Sequence, residues 1–294
     1  MSTADILRVD NLKQHFYINK NLTIRAVDGV TFQINQGEVF GLVGETGSGK
    51  STVARTIMGI NMATSGEVYF KGRKISEKKI YKQHKKDIHR NMQIIFQDSA
   101  AALNPRMTVE QIIAEPLKVN RIIDSKNGLR ETLERLLLEV GLDNTFRTKY
   151  PPEISGGQRQ RVAIARALST SPDLIIADEP IASLDVSIQA QIVNLFQSLQ
   201  REHQFSFLFI AHDLSIIKYI CDRVAVMLEG RFVEMAATKE LFENPLHPYT
   251  RSLLSAVPVP DPIYEKSKIL LNYDVRSKNT GRMIEVSNEH YVLQ

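Results

Sequence analysis

A segment of nine residues combines three glycines and four hydroxyl side chains with one lysine: Gly44, Glu45, Thr46, Gly47, Ser48, Gly49, Lys50, Ser51 and Thr52. Glycine lets a backbone curl until successive N–H groups point at one anion, and the helix predicted from Lys50 to Met58 would add its positive N-terminus. In this spacing we expect Lys50 to reach the β- and γ-phosphates of a nucleoside triphosphate and the Ser51 hydroxyl to ligate Mg²⁺. A buried strand predicted over residues 39–43 favours this interpretation over a flexible loop that matches by chance.

An acidic pair ends a second predicted buried strand, in which Leu174 to Ala177 is followed by Asp178 and Glu179. We expect Asp178 to hold Mg²⁺ and Glu179 to act as general base on a water that attacks the γ-phosphate. The plainer alternative is an acidic strand end that caps the next helix. Because the glycine segment lies upstream, the sequence predicts hydrolysis as well as binding.

A second glycine turn precedes a helix predicted over residues 158–169, and it consists of Ser155, Gly156, Gly157 and Gln158. A turn of this kind at the start of a helix is again an anion-binding surface. The alternative is a helix cap that binds no ligand. Two anion-binding surfaces in one chain predict a site that is shared between two copies.

Together these motifs resemble those of the ATP-binding-cassette (ABC) ATPases, whose signature turn reads Leu-Ser-Gly-Gly-Gln and here begins with Ile154. The resemblance covers about residues 6–260. It implies that the segment 44–52 binds ATP, and that the turn 155–158 contacts the ATP of the opposite subunit. It also implies a Mg²⁺ ion held by Ser51, Gln97 and Asp178.

The same resemblance implies roles for residues outside these motifs. Phe16 would stack on adenine, with the adjacent Tyr17 as a rival. Asp185 would lie in the loop that crosses the dimer interface, where Ala182 and Ser183 reverse the usual order Ser-Ala. Gln97 would contact Mg²⁺ and the attacking water, and His212 would contact the γ-phosphate. The implied catalytic set is Lys50, Gln97, Glu179 and His212.

Within the family, the chain resembles the oligopeptide and dipeptide importers. The resemblance is carried by residues 102–108, by residues 184–191 and above all by residues 244–250, Asn-Pro-Leu-His-Pro-Tyr-Thr. No chemical role follows for this last motif, whose prolines predict a rigid turn. The implied function is the ATP-hydrolysing subunit of a peptide importer. The alternatives are import of nickel or another small solute, a soluble ABC ATPase not involved in transport, and an ATPase-inactive regulatory subunit, which the intact Glu179 and His212 disfavour.

The elements that must position these residues alternate between strands and helices, which predicts a mainly parallel sheet. The predicted fold class is α/β, with a P-loop NTPase (RecA-like) core, an N-terminal antiparallel β subdomain, an inserted α-helical subdomain at about residues 98–160 and a short C-terminal extension. The ATPase domain is predicted over residues 6–254 and the extension over 255–294. We further expect a turn at 26–29, a hairpin at 224–234 and a polar tail beyond Pro262.

Composition sets limits on partners. The net charge of +4 on 294 residues falls short of a nucleic-acid signature, so no nucleic acid is expected. The single Cys221 excludes an intrachain disulfide and an iron–sulfur cluster held by several cysteines. No apolar run approaches the ~20 residues of a membrane span, and the first ten residues lack the pattern of an export signal. The resemblance implies a second ABC ATPase (a heterodimer), two transmembrane permease subunits and an extracytoplasmic solute-binding protein, with this chain peripheral on the cytoplasmic face of the membrane.

Overall fold

The computed structural model describes residues 5–19, 22–123, 125–258, 268–273 and 281–294. The chain forms two compact units. The phosphate-loop unit comprises Leu7–Ile34, Glu38–Ser76 and Leu208–Gln294. The helical unit is built mainly from Glu77–Phe207, which contains the whole of the helical insert predicted over 98–160.

The strands, in chain order, are β1 (Asp5–Asn19), β2 (Leu22–Asn35), β3 (Val39–Val43), β4 (Ser65–Phe70), β5 (Arg73–Lys74), β6 (Met92–Ile95), β7 (Leu174–Asp178), β8 (Ser206–Ala211), β9 (Arg223–Leu228), β10 (Arg231–Ala237), β11 (Met283–Ser287) and β12 (His290–Leu293). The α-helices are α1 (Lys50–Ile57), α2 (Lys78–Asn91), α3 (Ser99–Ala102), α4 (Val109–Val119), α5 (Lys126–Glu139), α6 (Gly156–Leu168), α7 (Val186–His203), α8 (Leu214–Ile220), α9 (Thr238–Glu243) and α10 (Pro248–Ala256). Short 3₁₀ turns occupy Asn144–Thr148 and Pro151–Glu153.

The N-terminal sheet has the order β2-β1-β4-β5, and β4 runs antiparallel to both β1 and β5. The antiparallel N-terminal subdomain is thereby confirmed. The predicted turn at 26–29 is wrong, because β2 continues through it. Gly29 takes φ +88° inside the strand, a conformation open to glycine, so the chain bends there without leaving the sheet.

The main sheet of the phosphate-loop unit has the order β11-β12-β10-β9-β3-β8. Strand β3 is buried along its whole length and pairs in parallel with β9, with Phe40 opposite Arg223 and Val43 opposite Val226. The predicted hairpin is confirmed as β9–β10, whose turn residues Glu229 and Gly230 both have positive φ. Two such residues match the right-handed twist of the strands that they join.

A C-terminal hairpin extends this sheet beyond β10. Strand β12 pairs with β11 and, antiparallel, with β10, where Glu234 lies opposite Val292. The expected polar tail beyond Pro262 is therefore wrong for residues 283–293. Only alternate residues of β12 are buried and one of them is His290, so the alternation of apolar and polar residues was too weak to predict a strand. The parts of the expected tail at 263–267 and 274–280 lie outside the described residues.

In the helical unit, β6 and β7 pair in parallel and the helices include the ones that the sequence predicts. The helix expected over 158–169 is α6 (Gly156–Leu168). Leu133, Leu136 and Leu137 form the buried face of α5, and Gly141 follows the helix with φ +70°. Among the described residues, no helix is both long enough and apolar enough to cross a membrane.

Candidate functional site

The glycine segment 44–52 connects the buried strand β3 to helix α1. Gly44, Gly47 and Gly49 have φ of +150°, +86° and +111°, a region that side-chain-bearing residues rarely adopt. A Cβ atom on Gly44 would lie 2.1 Å from the carbonyl oxygen of Met227, and one on Gly49 would lie 2.1 Å from that of Ala26. The loop therefore needs glycine at these two positions to fit against β9 and β2.

Lys50 begins α1 and turns back over the loop that precedes it. Its Nζ donates to the carbonyl oxygens of Gly44 at 2.7 Å and of Glu45 at 2.9 Å, and the residue is only 3% exposed. A buried ammonium aimed at the mouth of a curled backbone is suited to bind phosphate oxygens. Ser51 and Thr52 follow in the first turn of α1, at the positive end of the helix dipole.

The β9–β10 hairpin supports the loop from the side. The N–H of Gly230 donates to the carbonyl oxygen of Ser48 at 2.9 Å, and the carbonyl of Gly230 accepts from the N–H of Asp28 at 2.8 Å. The hydroxyl of Ser48 is buried without a hydrogen-bond partner in the part of the chain that is described. An orphaned hydroxyl inside a glycine cradle is consistent with a polar ligand there.

The acidic pair lies in the helical unit, at the end of β7. The parallel register sets Ile95 of β6 opposite Ala177 of β7, so the residues two positions later emerge at the same edge. These are Gln97 and Glu179, and the Gln97 Nε2 donates to the Glu179 Oε2 at 3.3 Å. Asp178 is the last residue of β7 and is 1% exposed. The structure thus brings Gln97 together with the carboxylate that the sequence identifies as a general base.

Glu179 has a backbone conformation that is uncommon for its residue type. Its φ is +49°, in the left-handed region that costs a residue with a side chain roughly 1–2 kcal/mol. The turn is held by the N–H of Ala182, which donates to the Glu179 carbonyl at 3.3 Å. Backbone strain of this kind is often found at functional sites.

The second glycine turn forms the start of α6. Ser155 is its N-cap, and a capping box joins it to Gln158: the Ser155 Oγ accepts from the Gln158 N–H at 3.3 Å, and the Gln158 Oε1 accepts from the Ser155 N–H at 2.9 Å. A Cβ atom on Gly157 would lie 2.7 Å from Ile188 of α7, and one on Gly156 would touch Leu184. The glycines therefore serve the packing of α6 on the segment that follows β7, and Ser155 stays exposed.

The predicted interface loop lies between β7 and α7. Asp185 is exposed and is the N-cap residue of α7, although its side chain makes no capping hydrogen bond. Gln189 of α7 holds the loop by donating to the carbonyls of Ile181 at 3.2 Å and Leu184 at 2.9 Å. Ser183 is exposed beside the half-buried Ala182.

The remaining predicted residues lie in the phosphate-loop unit. His212 is exposed between β8 and α8, and Asp213 after it caps α8 by accepting from the Ser215 N–H at 2.8 Å. Phe16 is half-buried near the end of β1, whereas its rival Tyr17 is 71% exposed. No contact of either ring with the described residues favours one of them, so the adenine contact stays a prediction.

The motif at 244–250 makes a contact with the phosphate loop, which the sequence analysis does not predict. His247 is the N-cap of α10 and Pro248 its first residue, so the predicted rigid turn is followed by a helix. The next residue, Tyr249, is 1% exposed, and its Oη accepts from the N–H of Glu45 at 3.1 Å. The motif marks this segment in the sequence. A contact between residues 204 positions apart, however, depends on the tertiary fold.

Comparison with known families gives two matches along the chain. The family model described as ABC transporter matches residues 27–182. The model described as the C-terminal region of oligopeptide/dipeptide transporters matches residues 233–276, which include the motif at 244–250.

Curated relatives are similar over nearly the whole chain. The oligopeptide transport ATP-binding protein OppF of Bacillus subtilis is 49% identical over 296 residues, covering 99% of this chain and 96% of the relative. AmiF of Streptococcus pneumoniae, also called an oligopeptide transport ATP-binding protein, is 49% identical and covers 91% of this chain and 88% of the relative.

Solved structures share the fold. The ATP-binding cassette MJ0796, in a dimeric post-hydrolysis state bound to ADP and phosphate, matches with a TM-score of 0.71 and 28% identity over 79% of this chain and 98% of that one. CbiO1 of Clostridium perfringens, part of the ABC transporter complex CbiONQ, matches with a TM-score of 0.70 and 29% identity over 82% of this chain and 91% of that one.

Proposed function

The chain belongs to the ATP-hydrolysing cassettes of ABC transporters, and from this premise we propose that it energises the import of oligopeptides or dipeptides. Support comes from the relatives, which are named for oligopeptide transport and align over nearly the whole chain. The C-terminal match at 233–276 adds a region described for oligopeptide/dipeptide transporters. Neither of the two relatives described above is named for nickel or another small solute. The binding specificity of the solute-binding protein of the same system, tested with peptides and with Ni²⁺, decides between them.

The observation that carries the ATP-binding part of the proposal is the glycine cradle of the phosphate loop with Lys50 folded over it. Its positive-φ glycines, its orphaned Ser48 hydroxyl and its buried ammonium suit a triphosphate. On ATP binding, Lys50 exchanges its two loop carbonyls for phosphate oxygens. The N–H groups of Gly47 and of residues 49–52 supply the other donors, and Phe16 stacks on adenine.

The proposed hydrolytic group is Glu179. As a carboxylate it accepts a proton from the attacking water, while Gln97 and His212 orient the water and the γ-phosphate. The proposed ligands of a Mg²⁺ ion are Ser51, Gln97 and Asp178, because hydroxyl, amide and carboxylate oxygens are the protein ligands that this ion prefers. When bound, it neutralises charge on the phosphate oxygens.

The signature turn is the reason for proposing a second ATPase subunit. Ser155, Gly156, Gly157 and Gln158 present the exposed start of α6 to the ATP of an opposite cassette, and Asp185 lies in the loop that faces that cassette. The partner is proposed to be a second, different ABC ATPase. Two permease subunits and an extracytoplasmic solute-binding protein complete the importer, with this chain peripheral on the cytoplasmic face of the membrane.

The test replaces the proposed base by its neutral isostere, Glu179→Gln. Because the amide cannot accept the proton, we expect ATP turnover to fall at least about 100-fold, while the affinity for ATP stays within about twofold. Phosphate release and nucleotide binding are measured on the assembled transporter. Glu131→Gln, which makes the same change on an exposed part of α5, is the control. Wild-type turnover in Glu179→Gln would refute the assignment of the base.

A further inference from the structure

One peptide bond of the phosphate loop is held on both of its sides. The carbonyl oxygen of Gly44 accepts from the Nζ of Lys50 at 2.7 Å. The N–H of Glu45, on the same peptide unit, donates to the Oη of Tyr249 at 3.1 Å. The first contact is made by a residue of the loop, whereas the second comes from the C-terminal motif at 244–250.

The Tyr249 hydroxyl is fixed in a buried environment. The ring packs edge-on against Tyr273, with centroids 5.5 Å apart, and burial raises the pKa of Tyr249 to about 12. The hydroxyl is therefore neutral at physiological pH. A neutral phenol accepts a hydrogen bond from the Glu45 N–H without bringing a negative charge to the phosphate loop.

A buried carboxylate sets the position of the helix that carries Tyr249. The side chain of Glu234 on β10 is fully buried and accepts from the N–H groups of Leu246 at 2.8 Å and His247 at 3.0 Å. Its Oε1 also lies 2.8 Å from the Nε2 of His290 on β12. The Nδ1 of His247 then accepts from the N–H of Tyr249 at 3.2 Å. These hydrogen bonds link the C-terminal hairpin, β10 and the start of α10, and together they fix the position of Tyr249.

We propose that Tyr249 is a positioning residue for nucleotide binding, which it serves by holding the Gly44–Glu45 peptide in the conformation that receives the triphosphate. This inference rests on the proposed function of the loop. To reach the phosphates, Lys50 has to leave the Gly44 carbonyl. The bond to Tyr249 then keeps the peptide from rotating, so the cradle retains its shape while the lysine changes partners.

The experiment deletes only the hydroxyl, in Tyr249→Phe, within the assembled transporter. We expect the Kd for ATP and for ADP to rise together by about 5- to 10-fold, the KM for ATP to rise with them, and kcat to stay within about twofold. Tyr219→Phe, which removes the same group from an exposed ring on α8, keeps wild-type constants. A purely structural role would lower the unfolding temperature of Tyr249→Phe and leave the Kd of the folded protein unchanged, and that result overturns the proposal.

If Tyr249→Phe does not fold, a measurement on the wild-type chain still tests the proposal. Hydrogen exchange of the Glu45 amide in the absence of nucleotide should be slow, because the N–H is bonded to a buried hydroxyl. Exchange at the rate of a free loop amide would overturn the proposal. Failure of the proposed function is recognised separately, because the wild-type protein would then bind no ATP at all.

Discussion

Gly49, like Gly44, is a residue of the phosphate loop at which both backbone conformation and space exclude a side chain. Its φ is +111°, and a Cβ atom would lie 2.1 Å from the Ala26 carbonyl oxygen. Gly47 in the same loop has φ +86°, but a Cβ atom there would meet nothing within 4 Å. The two positions therefore separate the cost of conformation from the cost of collision.

We expect Gly49→Ala to lower the free energy of unfolding by about 2–5 kcal/mol, of which strain supplies roughly 1–2 and the forced shift of β2 roughly 1–3. Gly47→Ala should cost about 1–2 kcal/mol, because it adds strain alone. Chemical denaturation of the two variants and the wild type measures both values. Equal losses in the two variants would contradict the collision with Ala26.

The positions of single residues in their helices and strands could largely be predicted from the sequence, while the contacts that support these residues could not. The positions of Lys50 at the start of α1 and of Asp178 at the end of β7 follow from patterns within about ten residues. Tyr249 contacts a loop 204 positions away. That contact depends on the placement of β10 and α10. The sequence therefore shows the motif at 244–250 but not its contact with the phosphate loop.

At the scale of elements, the capping box of α6 combines a structural and a proposed functional role. Ser155 caps the helix, and its exposed hydroxyl is also the proposed contact to the ATP of an opposite cassette. Ser125 is the N-cap of α5 and accepts from the Gly128 N–H at 3.1 Å, without a proposed role. The two serines form a matched pair.

Replacing either serine by alanine should lower the free energy of unfolding by about 1 kcal/mol, because one N–H of the first helical turn loses its acceptor. Only Ser155→Ala should also reduce the ATP turnover of the assembled transporter, by about 10-fold for one lost phosphate contact. Steady-state ATPase assays and thermal unfolding distinguish the effects. Equal turnover in the two variants would leave the turn a helix cap only.

Elements with a strong local sequence pattern were predicted well, and the others show why prediction failed. Strands β3 and β7 are short apolar runs bounded by glycine or acidic residues, and both are buried throughout. Strand β11 exposes most of its residues, and β12 buries a histidine in place of an apolar residue. His290 can be buried because its Nε2 lies within hydrogen-bond distance of the Glu234 Oε1, a pairing that no local sequence pattern contains.

At the scale of the whole molecule, each compact unit contains a histidine whose burial disfavours the charged form. In the helical unit, burial and the nearby Lys85 lower the pKa of His89, whose Nε2 lies 2.7 Å from the Tyr81 hydroxyl. In the phosphate-loop unit, burial lowers the pKa of His247 although Glu234 opposes the shift. The Nδ1 of His247 must also stay unprotonated to accept the Tyr249 N–H.

These shifts predict that the protein loses stability on mild acidification. In the unfolded chain, both histidines gain a proton near pH 6.5, whereas in the folded chain they gain it only at lower pH. The unfolded state therefore binds more protons as the pH falls from 6.5 through the folded pKa values, and the stability that is complete above 6.5 is progressively lost. We expect the unfolding temperature of the wild type to fall between pH 7.5 and 5.5. His247→Asn keeps a capping side chain and His89→Gln keeps a partner for Tyr81, so the double variant should show a smaller fall. Thermal scans at the two pH values measure the drop in unfolding temperature for both proteins. A drop in the double variant equal to that of the wild type would assign the acid sensitivity to other groups.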